Sequence, residues 1–252
     1  PVVDMRVLRY RSLWAGSLLS IVVGISLYGA VFAVPVFAQN ILHFTSQQTG
    51  ILMLPGALAS AFSMPFAAKL VRRYDPRYLL IGGSLGLVVS LRWLANLTPA
   101  TGAEDFFWPL IFRAVATTMM FMPLNIGTLG PIPREDIAAA TGFFNLTRQL
   151  GGSIGVALLT TMLERRNAFH QTVVGEKLLA TSPQVLQRLD ALTQAMALKG
   201  ASWVDAKAQA FSILVGQVKL QAAVLSFNDT FIATSFLVLC SLPLVFLLGR
   251  PK

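Results

Sequence analysis

Apolar residues in this chain gather into long runs separated by short polar turns. The runs lie at about Leu13–Ala38, Gln48–Leu70, Leu79–Leu97, Phe107–Leu129 and Thr141–Leu163, and a last one starts near Ala222 and ends near Leu248. Each is long enough to cross a bilayer as a helix, which takes about 20 residues. Strands of a membrane barrel would instead alternate over about ten residues. The pattern therefore predicts an all-α membrane protein with six spans, joined by tight turns except between the fifth and the sixth. Pro35 near the end of the first run is tolerable where neighbours satisfy the freed carbonyl, and Pro55 and Pro65 in the second run are expected as kinks.

Residues 164–221 are polar but patterned. Ser182 before Pro183 reads as an N-cap followed by proline at the first helical position. Val185, Leu186, Leu189, Leu192 and Met196 recur at helical spacing, and Gly200 is placed to stop that helix. Ser202 and Asp205 resemble a capping box that opens a second helix, and nothing interrupts the pattern from Ala206 to Gln221. The expectation is a helical hairpin over the outer face, running directly into the sixth span. The other reading is a pair of amphipathic helices resting on the bilayer surface.

Composition agrees with the pattern: 55% of the residues are hydrophobic and only 12% are charged, roughly half the charge of a soluble domain. The net charge of +9 therefore does not indicate a nucleic-acid partner. Its distribution sets orientation. Arg6, Arg9 and Arg11, the basic turn at 69–78, Arg134 and the Arg250–Lys252 tail fall on one side of a six-span bundle, while the two short loops opposite carry no Lys or Arg. That side is expected to be cytoplasmic and to meet phospholipid headgroups. The long polar segment then lies outside, since long translocated loops escape the rule. Cys240, the single cysteine, lies in an apolar run. The chain starts at Pro1 rather than methionine, so a piece of a longer protein is expected.

Polar groups inside the runs are the candidates for function, because an intramembrane charge is costly and faces protein or water. The fifth run carries Asn145, Arg148 and Gln149, followed by Gly151, Gly152 and Gly155, a seam of small residues that admits another helix at close range. Arg113 lies about two turns into the fourth run, roughly 10 Å deep. Met119 and Met122 with Asn125 suggest a pliable apolar surface suited to varied hydrophobic ligands. Arg92 is near a span end and can snorkel to headgroups. Asp229 is either a carboxylate inside the sixth span, with the chemistry of a proton carrier, or an N-terminal cap if residues 230–248 cross alone. His43 and His170 read as loop residues. The sequence holds no metal-ligand spacing, no phosphate loop and no nucleophile–base pair, so neither an enzyme nor a cofactor is expected.

The block FFNLTRQLGGSIGVAL at 143–158, IFRAV at 111–115 and SFNDTF at 226–231 resemble the C-terminal half of the 14-helix drug:proton antiporters of the major facilitator superfamily. The turn at 68–77 is similar to that superfamily's cytoplasmic loop motif at Leu70, Arg73 and Arg77. It departs from the motif at Ala68, Arg72 and Asp75, which puts a charge relay there in doubt and leaves inside-positive charge as its role. The resemblance implies two inverted three-helix repeats, spans one to three and four to six. It also implies that spans one, two, four and five line the cavity and the interface with a missing N-terminal half. The implied activity is proton-driven efflux of amphipathic drugs or other toxic organic compounds across a bacterial inner membrane. The outer hairpin would be a docking site for a periplasmic adaptor of a tripartite pump. Uptake or export of one specific metabolite on the same scaffold, and a non-transporting truncated half, stand as alternatives.

One pairing is expected from depth. Arg113 and Asp229 lie at comparable distances below the outer ends of the fourth and sixth spans, and each would be costly alone. Within one repeat they would offset each other, leaving Arg148 for substrate or for a carboxylate of the other half.

Overall fold

The computed structural model describes residues 5–179, 183–200 and 202–248. Ser182 and the 249–252 tail lie outside them. Seven α-helices follow one another: α1 Arg11–Asn40, α2 Ser46–Arg73, α3 Pro76–Leu94, α4 Ala103–Leu129, α5 Ile137–Leu179, α6 Pro183–Leu198 and α7 Trp203–Ser241. Short 3-10 helices precede α1 (Met5–Arg9) and follow α7 (Leu242–Leu247). Among the described residues there is no strand.

Local chemistry marks the helix starts. Thr45 and Gln48 form a reciprocal capping box at α2, the Thr45 amide donating to Gln48 Oε1 at 2.8 Å. Asp75 caps α3 ahead of Pro76, its carboxylate accepting the Arg77 amide at 3.0 Å. Ser202 Oγ accepts the Asp205 amide at the start of α7, and Gly200 just before it takes φ +96°, a conformation only glycine adopts freely. Pro35, Pro55 and Pro65 remain inside continuous helices.

The helix lengths carry topological information. α1 to α4 and the last helical segment, Trp203–Leu247, are long and apolar enough to cross a membrane. α5 is long enough, but Asn145, Arg148 and Gln149 and then Glu164, Arg165 and Arg166 interrupt its apolar run. With 43 residues, α5 extends about 65 Å, twice the roughly 30 Å of hydrocarbon. The sequence reading ended this helix near Leu163; no proline interrupts the polar stretch beyond, and the helix continues to Leu179. α7, at 39 residues, likewise outruns a bilayer. α6 packs on α7, and α7 on α5.

One end of the bundle gathers the basic turns. Arg9 and the Tyr10 hydroxyl both bind Asp136, at 2.8 and 2.7 Å, tying the chain start to the α4–α5 turn. Arg77 donates to the Leu248 carbonyl, tying the α2–α3 turn to the end of α7. At the other end Asn228 Nδ2 donates to the Leu97 carbonyl at 2.9 Å, joining α7 to the α3–α4 loop. The 69–78 turn and the 98–106 loop thus lie at opposite ends of α3.

The core follows two similar pairings. α1 packs along α5, and α4 along α2; exchanging α1 with α4 and α5 with α2 converts one pair into the other. α3 packs on α4, with Gly83 against the Ala116–Met120 backbone. Phe37 of α1, Phe106 of α4 and Phe227 of α7 meet tilted and edge-on at the end of the bundle opposite the basic turns, with ring centroids 5.7 and 5.2 Å from Phe37.

Candidate substrate pathway

The glycine seam on α5 faces inward, against α1. Gly151 meets the Ile21 backbone, Gly152 lies under the Tyr28 ring, and a Cβ on Gly155 would sit 2.6 Å from Ile25 Cα. Gly24 of α1 reciprocates against the Arg148 carbonyl and the Gly152 amide. Two helices come this close only where side chains are absent on both, which explains the spacing of small residues.

Arg148 lies one turn before Gly151 and Gly152 on α5, and its side chain reaches α4. Arg148, half-buried about 17 Å from the inner end of α5, has its guanidinium 4.8 Å from the Phe121 ring of α4. This cation–π contact is its one partner among the described residues. Asn145 is half-buried and Gln149 exposed on the same helix. Asn125 donates to the Phe121 carbonyl at 2.8 Å, so its amide is taken up by its own helix. Met119 and Met122 are half-buried, whereas Met120 between them enters the core. Arg148, Phe121 and Asn125 therefore form one polar and aromatic patch bridging α5 and α4.

Arg113 and Asp229 do not meet. Asp229 binds α5 instead: its Oδ2 accepts from Arg166 Nε at 2.6 Å and lies 2.7 Å from His170 Nε2. The depth comparison failed because it ended α5 at Leu163, about one and two turns short of Arg166 and His170, the residues that reach Asp229. His170 is consequently a helix residue, not a loop residue, and Asp229 lies inside α7 rather than at its cap. Beside this cluster a cavity of about 680 Å³ opens between α1, α5 and α7. Glu164, Asn167 and Gln171 of α5, Lys219 of α7, Asn40 and His43 line it. His43 sits in the α1–α2 loop at φ +56°.

Arg113 is left buried, with 7% of its surface exposed. Its Nε has no hydrogen-bond partner, and its side chain makes no ion pair among the described residues. It lines a second cavity, of about 240 Å³, between α1, α2 and α4.

The basic turn is structural in its contacts. Arg77 holds the Leu248 carbonyl, Arg73 lies against the neighbouring Tyr74 ring at 5.9 Å, and Leu70 is partly exposed. Arg92 packs over Phe236 of α7 at 4.9 Å. The Arg9–Tyr10–Asp136 contact was missed in the sequence, since its partners lie far apart along the chain. The Tyr10 hydroxyl and then the Arg9 guanidinium hold the Asp136 carboxyl below the usual carboxylate range.

The sequence profile of the Major Facilitator Superfamily matches residues 1–156, more than half of the chain. The chain belongs to the major facilitator superfamily. Among similar members, the uncharacterized MFS-type transporter YhcA of Bacillus subtilis is 30% identical over 94% of this chain and 45% of its own length. The multidrug export protein EmrB of Escherichia coli and the fatty acid resistance protein FarB of Neisseria gonorrhoeae are each 26% identical over 100% of this chain and 48% of theirs. The chain thus spans about half the length of the curated relatives it matches. Superfamily members are multi-pass transporters of small molecules in lipid, not enzymes.

Proposed function

We propose that this chain is the C-terminal six-span half of a proton-driven efflux transporter of a bacterial inner membrane, in which α5 is the sixth crossing helix. The observation that carries the reading is the match of the whole chain, at half their length, to relatives named for multidrug export and fatty acid resistance. Two structural features support it. α2 is the least covered apolar helix, with 17% of its apolar window buried; its face of Ile51, Leu54, Leu58, Phe62 and Phe66 is exposed and available to a second half. The Arg148–Phe121–Asn125 patch lies on the two helices, α4 and α5, that the family resemblance assigns to the cavity. The basic end carrying Arg9, Arg73 and Arg77 is cytoplasmic in this reading. The extensions of α5 and α7 with α6 form an outer helical insertion that docks an adaptor protein.

The test is efflux by the full-length transporter in inverted membrane vesicles, with tetraphenylphosphonium as a lipophilic probe. Proton-gradient-dependent movement of the probe into the vesicle lumen is the expected result. Movement that ignores the gradient removes the proton coupling. Probe leaving the lumen favours the uptake alternative, and no movement favours the non-transporting one.

A further inference from the structure

The buried guanidinium of Arg113 has a chemistry that the pathway above leaves unused. It stands about 15 Å from the start of α4, with 7% of its surface exposed. Buried cations are found paired, because an unpaired charge in a low-dielectric setting loses its hydration without replacement. Among the described residues neither a carboxylate nor a carbonyl binds the Arg113 side chain, and its Nε is without a partner. The only hydrogen bond that α4 offers at this position uses the backbone: Thr117 Oγ1 donates to the Arg113 carbonyl at 2.7 Å. Ser60 Oγ is joined to Thr118 Oγ1 at 3.0 Å. These three hydroxyls are thus satisfied without the guanidinium, and the space beside it is otherwise walled by apolar atoms of Leu27 and Met53.

That space is the cavity of about 240 Å³ between α1, α2 and α4, near the lower bound of roughly 300 Å³ for small-molecule sites. Its size suits a head group and the first part of a chain. Val31 of α1, which lines the cavity and is exposed, carries its apolar surface outward. A planar guanidinium matches a carboxylate with two parallel hydrogen bonds. We propose that Arg113 binds the carboxylate of amphipathic acid substrates, head beside the guanidinium and tail against the cavity's apolar lining of Leu27, Val31 and Met53. The inference rests on the efflux reading and adds a substrate class to it. A carboxylate side chain from the other half of the transporter shares the chemistry, and the experiment separates the two sources.

The experiment uses the purified full-length transporter, with decanoate and tetraphenylphosphonium titrated separately by calorimetry, and with thermal unfolding recorded for each variant. Arg113→Gln is expected to weaken decanoate binding about 10- to 100-fold, the loss of charge-assisted hydrogen bonds. Tetraphenylphosphonium binding stays unchanged, and Arg113→Lys retains part of the decanoate affinity. The unfolding temperature of Arg113→Gln is expected to be equal or higher, since a lone buried charge is removed. Unchanged decanoate binding in Arg113→Gln overturns the proposal. So does a lowered unfolding temperature with loss of both ligands, which identifies a protein carboxylate as the partner. Wild type that binds tetraphenylphosphonium but not decanoate overturns it while leaving efflux intact. Wild type that binds neither removes the efflux reading and this inference with it.

Discussion

The α1–α5 and α2–α4 pairs pack by the same scheme and end in opposite states. Along α1–α5, Gly24 meets the backbone of Arg148, Gly151 and Gly152, Gly151 and Gly155 meet the Ile21 and Ile25 backbone, the Tyr28 ring covers Gly152, and the interface is closed. Along α2–α4 a single glycine, Gly56, faces the Leu110 carbonyl, and beside it a cavity remains with Arg113 on its wall. The difference shows what small residues do in a membrane bundle. Where they face each other on both helices they exclude side chains and make a stiff seam. Where they occur on one helix only, they leave room that a polar side chain on the other can use.

Breaking the seam should have the largest effect. Gly155→Leu places a branched side chain where even a Cβ falls 2.6 Å from Ile25 Cα. A cost of about 3 kcal/mol or more is expected from overpacking, read as loss of monodisperse protein in detergent and loss of transport. A variant that purifies and transports normally would falsify the closed seam.

Next comes the outer tie that holds α5 to α7. Asp229→Asn removes the ion pair with Arg166 and alters the contact with His170. Because the groups are partly exposed, about 1 kcal/mol of stability is expected to be lost. Thermal unfolding should fall by a few degrees, while the pH profile of transport keeps its midpoint. A normally folded variant whose transport no longer responds to a proton gradient would make Asp229 a proton carrier instead.

A matched pair of alanines sharpens the contrast. A Cβ on Gly56 would lie 3.2 Å from the Leu110 carbonyl oxygen, against 2.6 Å for Gly155 and its neighbour. Gly56→Ala should therefore cost under about 1 kcal/mol, and Gly155→Ala clearly more. Equal unfolding temperatures for the two variants would erase the distinction between seam and cleft.

The smallest effect belongs to the exposed tie between the starts of α1 and α5. Asp136 is held below the usual carboxylate range by Tyr10 and Arg9. Its contribution is therefore present above the ordinary value near 3.9 and fades as pH falls through the lowered one. Asp136→Asn should leave unfolding unchanged in strong acid and lower it slightly at neutral pH. A difference that grows on acidification would reverse the sign.

Much of this was legible in the residues, for reasons that also mark where legibility ends. Helix starts at Thr45, Asp75 and Ser202 depend on groups three or fewer positions away, so local chemistry announces them. The small-residue spacing of Gly151 and Gly155 announces a packed face, because a helix repeats every 3.6 residues whatever it packs against. Neither signal names a partner. The depth of Asp229 was estimated from where apolar runs end, yet a helix ends where its hydrogen-bond ladder ends. α5 ran on through Glu164, Arg165 and Arg166 and delivered His170 to a carboxylate 59 positions away.

The apolar runs, caps and polar interruptions by themselves determined that this is an all-helical membrane protein with charges that need partners, since burial and backbone hydrogen bonding in lipid admit few other outcomes. Only the tertiary structure decided which charge found a partner. It gave Asp229 to Arg166 and His170, set Arg148 over Phe121 and left Arg113 alone beside a cavity. The physical reason is that pairing depends on the rotation and length of two helices at once, and neither is written in the local pattern of either one.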